Sequence, residues 1–212
     1  IISWRELSRR AANGEQAGSV GEDYVYQGLD TCAGCGLCST ACPVGINTGD
    51  LTRRLRGRSM GGVSKQVNEW TANNFGTLAN ASRLGLTVGH AVSGIVGDKL
   101  LSRVSGGAWK KNMPRAGKSP LAQSGSGDPV VYFPTRGGRI FGPSDAGEQQ
   151  LGDVIMTLLS RAGYAPRLPK GFDKLCCGQM LASKGMAEEA DGMSATLEAA
   201  LIEASENGRY PV

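Results

Sequence analysis

Histidine is nearly absent from this 212-residue chain, which carries only His90, and aromatic residues make up 6% of it. A zinc site of paired Cys/His ligands therefore lacks its second pair, and His90, far from the cysteines on a glycine-broken helical stretch, reads as a packed or surface residue. Charge is also sparse: charged residues are 20% of the chain and the net charge is +4. That is too little for an acidic disordered tail or for the electrostatic footprint of a nucleic-acid binder. Long apolar runs are missing as well. The longest, Leu84 to Gly97, spans roughly 14 residues and includes His90, short of the roughly 20 a transmembrane helix needs. The chain starts at Ile1-Ile2 with no apolar leader and no cleavage site, so no signal peptide is expected and the sequence reads as a piece of a longer polypeptide. Six cysteines are too few for a disulfide scaffold, and they cluster, with four in 32–42 and two adjacent at Cys176-Cys177. Such clustering points to metal in a reducing compartment.

Glycine (32) and proline (9) are plentiful, which makes the chain loop-rich without making it low-complexity. Four segments are expected. Residues 1–61 hold a short basic helix (Trp4 to Arg10), the cysteine run, and a helix opening near Asp50. Residues 62–104 place Val67, Trp70, Leu78, Leu84, Val88, Ala91 and Ile95 at three- and four-residue steps, the amphipathic helical period, broken by glycines into two or three helices. Residues 105–127 read as a linker. Residues 128–212 begin with the strand-like Val130-Val131-Tyr132-Phe133. A helix follows with Leu151, Val154, Ile155, Leu158 and Leu159 on one face, stopping at Gly163. Phe172 to Leu175 is strand-like, a helix runs from about Ser183 to Gly208, and Tyr210-Pro211-Val212 reads as a second strand. Gly85-Leu86-Thr87-Val88-Gly89 fits GxxxG and is read as close helix packing. Arg53, Arg54, Arg56 and Arg58 read as a solvated helix face, with docking to an acidic flavin domain or to anionic lipid as a secondary reading.

The strongest chemical signal is Cys32-Ala33-Gly34-Cys35-Gly36-Leu37-Cys38-Ser39-Thr40-Ala41-Cys42-Pro43. It matches the bacterial ferredoxin run C-x2-C-x2-C-x3-C-P at every position. Two-residue gaps let successive thiolates curl around one [4Fe–4S] cube, while Gly34 and Gly36 permit the tight turns that bring amide N–H groups to the sulfurs. Cys32, Cys35, Cys38 and Cys42 are the expected ligands. In two-cluster ferredoxins the fourth cysteine serves the other cluster, so Cys42 either closes this cube or pairs with a second run elsewhere. A structural zinc site is the competing reading.

Cys176 and Cys177 are too close along the chain for a relaxed disulfide, because adjacent Cα atoms lie about 3.8 Å apart. They read as a ligand or redox-sensitive pair, with two small core residues as the plain alternative. Phe172-Asp173-Lys174-Leu175-Cys176-Cys177-Gly178-Gln179 with Ser183-Lys184-Gly185 resembles the cysteine-rich CCG domain of heterodisulfide-reductase subunits and of iron–sulfur parts of respiratory flavin dehydrogenases. Tyr24 to Thr31 before the cluster run and Pro43 to Asp50 after it make the whole similar to the C-terminal iron–sulfur half of bacterial FAD-linked D-lactate dehydrogenases of the cytochrome- or quinone-linked type. Ile1 to Leu7 looks like the stretch following a first ferredoxin run in those enzymes. Three features depart from the pattern. Pro134-Thr135-Arg136 stands where CCG domains often carry a cysteine, a second CCG group would lie beyond Val212, and many lactate-enzyme members have an acidic residue where Cys35 stands.

The resemblance implies an α+β or α/β architecture, with a helical ferredoxin-like cluster domain followed by a truncated α/β CCG domain. It also implies FAD in an upstream domain or partner subunit, a cytochrome or quinone acceptor, and a cytoplasmic setting with peripheral attachment to the inner membrane as a variant. No nucleic acid and no transmembrane span are expected. The chain alone should bind no flavin and oxidise no D-lactate. The alternatives are the iron–sulfur subunit of a glycolate oxidase or an anaerobic glycerol-3-phosphate dehydrogenase, and a zinc-stabilised non-enzymatic interaction module.

Overall fold

A computed structural model describes residues 2–15, 23–120, 127–145 and 147–212. Among the described residues the chain is mostly helical (59%) with a small two-stranded parallel sheet, an α+β composition. Its helices are α1 (Ile2–Ala12), α2 (Leu37–Ala41), α3 (Thr48–Ser59), α4 (Gly62–Asn73), α5 (Phe75–Val96), α6 (Asp98–Val104), α7 (Arg136–Ile140), α8 (Leu151–Arg161), α9 (Gln179–Ala182) and α10 (Ala187–Ala204). A π-helical turn covers Val25–Asp30, and the strands are β1 (Asp128–Val131) and β2 (Tyr164–Arg167). No helix among the described residues is long and apolar enough to cross a membrane. Contacts divide the chain into two units, Ile1–Ala72 with Gly178–Gly192, and Asn73–Cys177 with Met193–Val212.

In the first unit the helix expected near Asp50 is α3. Asn47 caps it, its side-chain oxygen accepting the Gly49 N–H at 3.0 Å, and Asp50 sits in the first turn where the helix dipole favours an anion. Leu55, Leu181, Met186 and Ala190 supply buried apolar side chains, and Lys184 Nζ donates to the buried Asn68 Oδ1 at 3.3 Å. The turn after α9 approaches α3 backbone to backbone. A Cβ on Gly57 would stand 2.7 Å from the Gly185 oxygen, so only glycine fits there.

In the second unit β1 and β2 pair in parallel, with Asp128 opposite Tyr164 and Val131 opposite Arg167, joined by the crossover that carries α7 and α8. The core gathers Phe75, Ala79, Ile140 and Cys176 with Met193 against them. Several expectations need correction here. Tyr164-Ala165-Pro166-Arg167 is the second strand, whereas Phe172–Lys174 is a 3-10 turn. Tyr210-Pro211-Val212 is not a strand, although the Val131 N–H donates to the Pro211 oxygen at 2.8 Å. Proline has no N–H of its own to return, so a ladder cannot propagate there. Helix α8 ends as expected before Gly163, which has φ +89°, but its buried side is Gly152 and Met156. Pro120 approaches Gly152 so closely that a Cβ there would stand 2.8 Å from its ring, which leaves Leu151 and Leu158 more than half exposed.

The stretch 62–104 forms three helices, and of its glycines only Gly97 breaks one, at φ +82°. Within the stretch expected as a linker Trp109, Gly117 and Pro120 are buried and most other residues of 105–120 are exposed; 121–126 lie outside the described residues. Ala116 bridges antiparallel to Phe141. What approaches Gly89 of the GxxxG pattern is the Trp109 indole and not a second helix, while Gly85 has nothing within 4 Å. A Cβ at Gly89 would overlap the indole, so Gly89→Val is expected to lower stability by about 1–3 kcal/mol in urea denaturation. An unchanged midpoint would mean that Trp109 has another resting place.

Asp98 anchors that indole, accepting from Trp109 Nε1 at 2.9 Å and from the Ser93 hydroxyl. The Ser93 hydroxyl first, and then the indole, hold the Asp98 carboxyl below its ordinary value of 3.8, with His90 and Lys111 adding smaller attractions. A carboxyl lowered on folding contributes stability above its unfolded value and loses it as pH falls through the folded one. The Trp109 environment is therefore expected to hold steady above about pH 4 and loosen below it. Fluorescence against pH, with Asp98→Asn lacking that acid limb, is the check.

Candidate metal centre

The cysteine run is shaped by glycines and by the start of α3. Gly34 and Gly36 take left-handed φ values of 63° and 78°, as the sequence suggested, and Gly36 opens the short helix α2 on which Cys38 sits. Gly49, in the first turn of α3, lies close enough to the loop that a Cβ would stand 3.2 Å from Gly34 Cα. The loop is thereby pressed onto a helix N-terminus, whose free amides favour negative charge.

Those amides reach sulfur. The Thr48 N–H donates to Cys38 Sγ at 3.3 Å and the Thr48 hydroxyl at 3.1 Å, while the Cys38 thiol donates to Asn47 Oδ1 at 3.6 Å. Hydrogen bonding from the Thr48 hydroxyl, and next from the Gly49 amide, brings the Cys38 thiol below its ordinary value. The amides of Ile46 and then Val44 do the same for Cys42. Cys32 Sγ accepts the Gly34 N–H at 3.4 Å. All six cysteines are free thiols, with Cys35 and Cys38 exposed and Cys32 and Cys42 partly covered. The donor set, four cysteines of which Cys32, Cys38 and Cys42 have N–H groups aimed at sulfur and with no histidine among them, fits thiolate-bound iron in its chemistry. Among the described residues no three or more Cys, His, Asp or Glu side chains stand arranged to hold a metal ion. Individual sulfurs are prepared for the thiolate state, and their convergence on one point is not part of this geometry.

The arginines after the run do not form one solvated face. Arg54 and Arg58 are exposed and Arg53 pairs with Asp50, but Arg56 turns inward. Its Nε donates to the Leu29 oxygen at 2.9 Å, Nη2 to the Cys32 oxygen at 2.6 Å and also to Leu29, and Nη1 to the Ser183 oxygen at 2.7 Å. Leu29 lies near the end of the π-helical turn and Cys32 is the first cysteine, so one guanidinium fixes the entrance to the run. Nothing in the local sequence distinguishes Arg56 from its neighbours.

Cys176 and Cys177 diverge. Cys176 is 4% exposed in the second unit's core beside Phe75, Ala79 and Ile140, the position of a plain core residue, and Cys177 is exposed. The loop ahead of them is held by Arg139, a second residue the sequence did not single out. It is 2% exposed, donates to the Phe172 oxygen and at 2.7 Å to the Leu175 oxygen, and lies over the rings of Phe133 and Phe75 at 5.1 and 5.9 Å. Burial lowers its pKa from the ordinary value, and its Nε is without a partner among the described residues. Arg136, where a further CCG cysteine was sought, is the first residue of α7, which Thr135 caps by accepting the Gly138 N–H at 3.2 Å. No known protein family, curated protein or solved structure matches the chain.

Proposed function

We propose that this chain is the iron–sulfur electron-transfer portion of an FAD-linked dehydrogenase acting on D-lactate or a related 2-hydroxy acid, with a [4Fe–4S] cluster on Cys32, Cys35, Cys38 and Cys42. The observation that carries the reading is the meeting of the unbroken ferredoxin spacing with the start of α3, where Thr48 donates two hydrogen bonds to Cys38 Sγ. Bound there, a cluster would carry single electrons from reduced flavin toward a cytochrome or quinone acceptor.

The chain's own groups serve that task in two ways. Amide and hydroxyl donors at Cys32, Cys38 and Cys42 lessen the negative charge on sulfur, which favours thiolates over thiols and eases the addition of an electron. The glycines hold the loop against α3, where those donors are already oriented. The flavin and the 2-hydroxy acid are assigned to a separate domain, in the same longer polypeptide or a partner subunit. A cytoplasmic location, or peripheral attachment to the inner membrane, belongs to the same reading. Anaerobically reconstituted chain is expected to be brown, with broad absorption near about 400 nm that bleaches when photoreduced flavin is supplied. A colourless product, or a chromophore that reduced flavin leaves untouched, would overturn the reading.

A further inference from the structure

We propose that Arg56 is the positioning residue of the cluster site, holding the entrance of the cysteine run in place and setting the cluster's reduction potential with a fixed positive charge. The inference rests on the cluster reading above. Among the described residues every hydrogen-bond partner of the guanidinium is a backbone carbonyl: Leu29, Asp30 at 3.4 Å, Cys32 at 2.6 Å and Ser183 at 2.7 Å. No ion pair neutralises it among the described residues, whereas Arg53 on the same helix is paired with Asp50. A guanidinium is always charged and its planar fork is built for several acceptors at once. Here the fork joins the last turn before the run, the carbonyl of its first cysteine, and a turn lying more than a hundred residues further along the chain.

Two consequences follow from that placement. Geometrically, the carbonyls of Leu29 and Cys32 cannot separate while both bond one planar group, so Cys32 is held before any metal arrives. Groups that orient metal ligands typically alter metal retention by about 10–100-fold when removed. Electrostatically, a cluster with four thiolates takes up one electron and becomes more negative by one charge. An uncompensated cation beside the Cys32 carbonyl stabilises that reduced form and raises the midpoint potential. Arg54 and Arg58 are exposed on the same helix, where water and salt screen them.

The test uses the full chain, reconstituted anaerobically and titrated with dithionite. Arg56→Met is expected to shift the midpoint downward and to lose iron to a chelator about tenfold faster. Arg56→Lys keeps the charge but not the fork, so it should keep a midpoint near the wild-type value while losing iron as fast as the Met variant. Arg54→Met should change neither. Arg56→Met with wild-type potential and wild-type iron retention would overturn the role of Arg56 and leave the cluster reading standing. A Lys variant whose midpoint falls well below the wild-type value would remove the charge argument, and that comparison stands even where the Met variant does not assemble. Wild-type chain that takes up neither iron nor sulfide would instead overturn the cluster reading itself.

Discussion

Cys38→Ser is expected to remove nearly all cluster-bound iron from the reconstituted chain, with loss of the broad absorption near about 400 nm. Cys38 is prepared to be a thiolate, receiving the Thr48 amide and hydroxyl at 3.3 and 3.1 Å from the N-terminal end of α3. Serine keeps the shape and can keep those hydrogen bonds, but its oxygen is a harder ligand that resists deprotonation at neutral pH. Cys176→Ser with Cys177→Ser is the contrast, and should leave bound iron nearly unchanged. Cys176 is packed among Phe75, Ala79 and Ile140, and burying a hydroxyl there costs about 1–3 kcal/mol of stability instead. Iron and sulfide content of the purified variants is the measurement. Full cluster content in Cys38→Ser, or loss of all iron in the double variant, would show that the wrong cysteines have been assigned.

The largest expected effect on folding is at Gly185. Its φ is +86°, which a side chain tolerates poorly, and a Cβ there would overlap the Arg53 oxygen and stand 2.6 Å from Gly57 N. The left-handed backbone costs roughly 1–2 kcal/mol for a residue with a Cβ. Overpacking adds about 1–3 kcal/mol, because neither neighbour is a flexible side chain that could swing away. Gly185→Val is therefore expected to destabilise the first unit by roughly 3 kcal/mol or more, and Gly185→Ala by most of that. The same turn carries Ser183, whose carbonyl Arg56 holds, so the substitution should also loosen the entrance of the cysteine run. Urea denaturation followed by far-UV circular dichroism checks it. A change under about 0.5 kcal/mol for Gly185→Ala would mean that the turn and α3 are not in backbone contact in solution.

What could be read in the sequence was local, and what could not was made by contacts distant along the chain. The cysteine spacing, the left-handed glycines at 34 and 36, the opening of α3 near Asp50 and the stop before Gly163 each depend on a few consecutive residues. The strand Tyr164-Ala165-Pro166-Arg167 was hidden because a central proline argues against a strand, and here it is tolerated in a two-stranded sheet with edges on both sides. The apolar face of α8 misled for a different reason. Helical periodicity marks Leu151, Val154, Ile155, Leu158 and Leu159, of which Ile155 and Leu159 are half-buried, but the close approach of Pro120 selects Gly152, which a hydrophobicity pattern ignores. Arg56 and Arg139 were invisible for a third reason. Arg139 is buried and Arg56 half-buried, the hydrogen bonds of both go to backbone carbonyls, and a carbonyl acceptor leaves no side-chain signature in a sequence.

The central claim is that the four-cysteine run binds an iron–sulfur cluster, and metal and sulfide analysis of the anaerobically reconstituted chain tests it most directly. About four iron and four acid-labile sulfide per chain are expected, falling together in Cys38→Ser. Stoichiometric zinc with no iron and no sulfide would contradict it and make the run a structural zinc site.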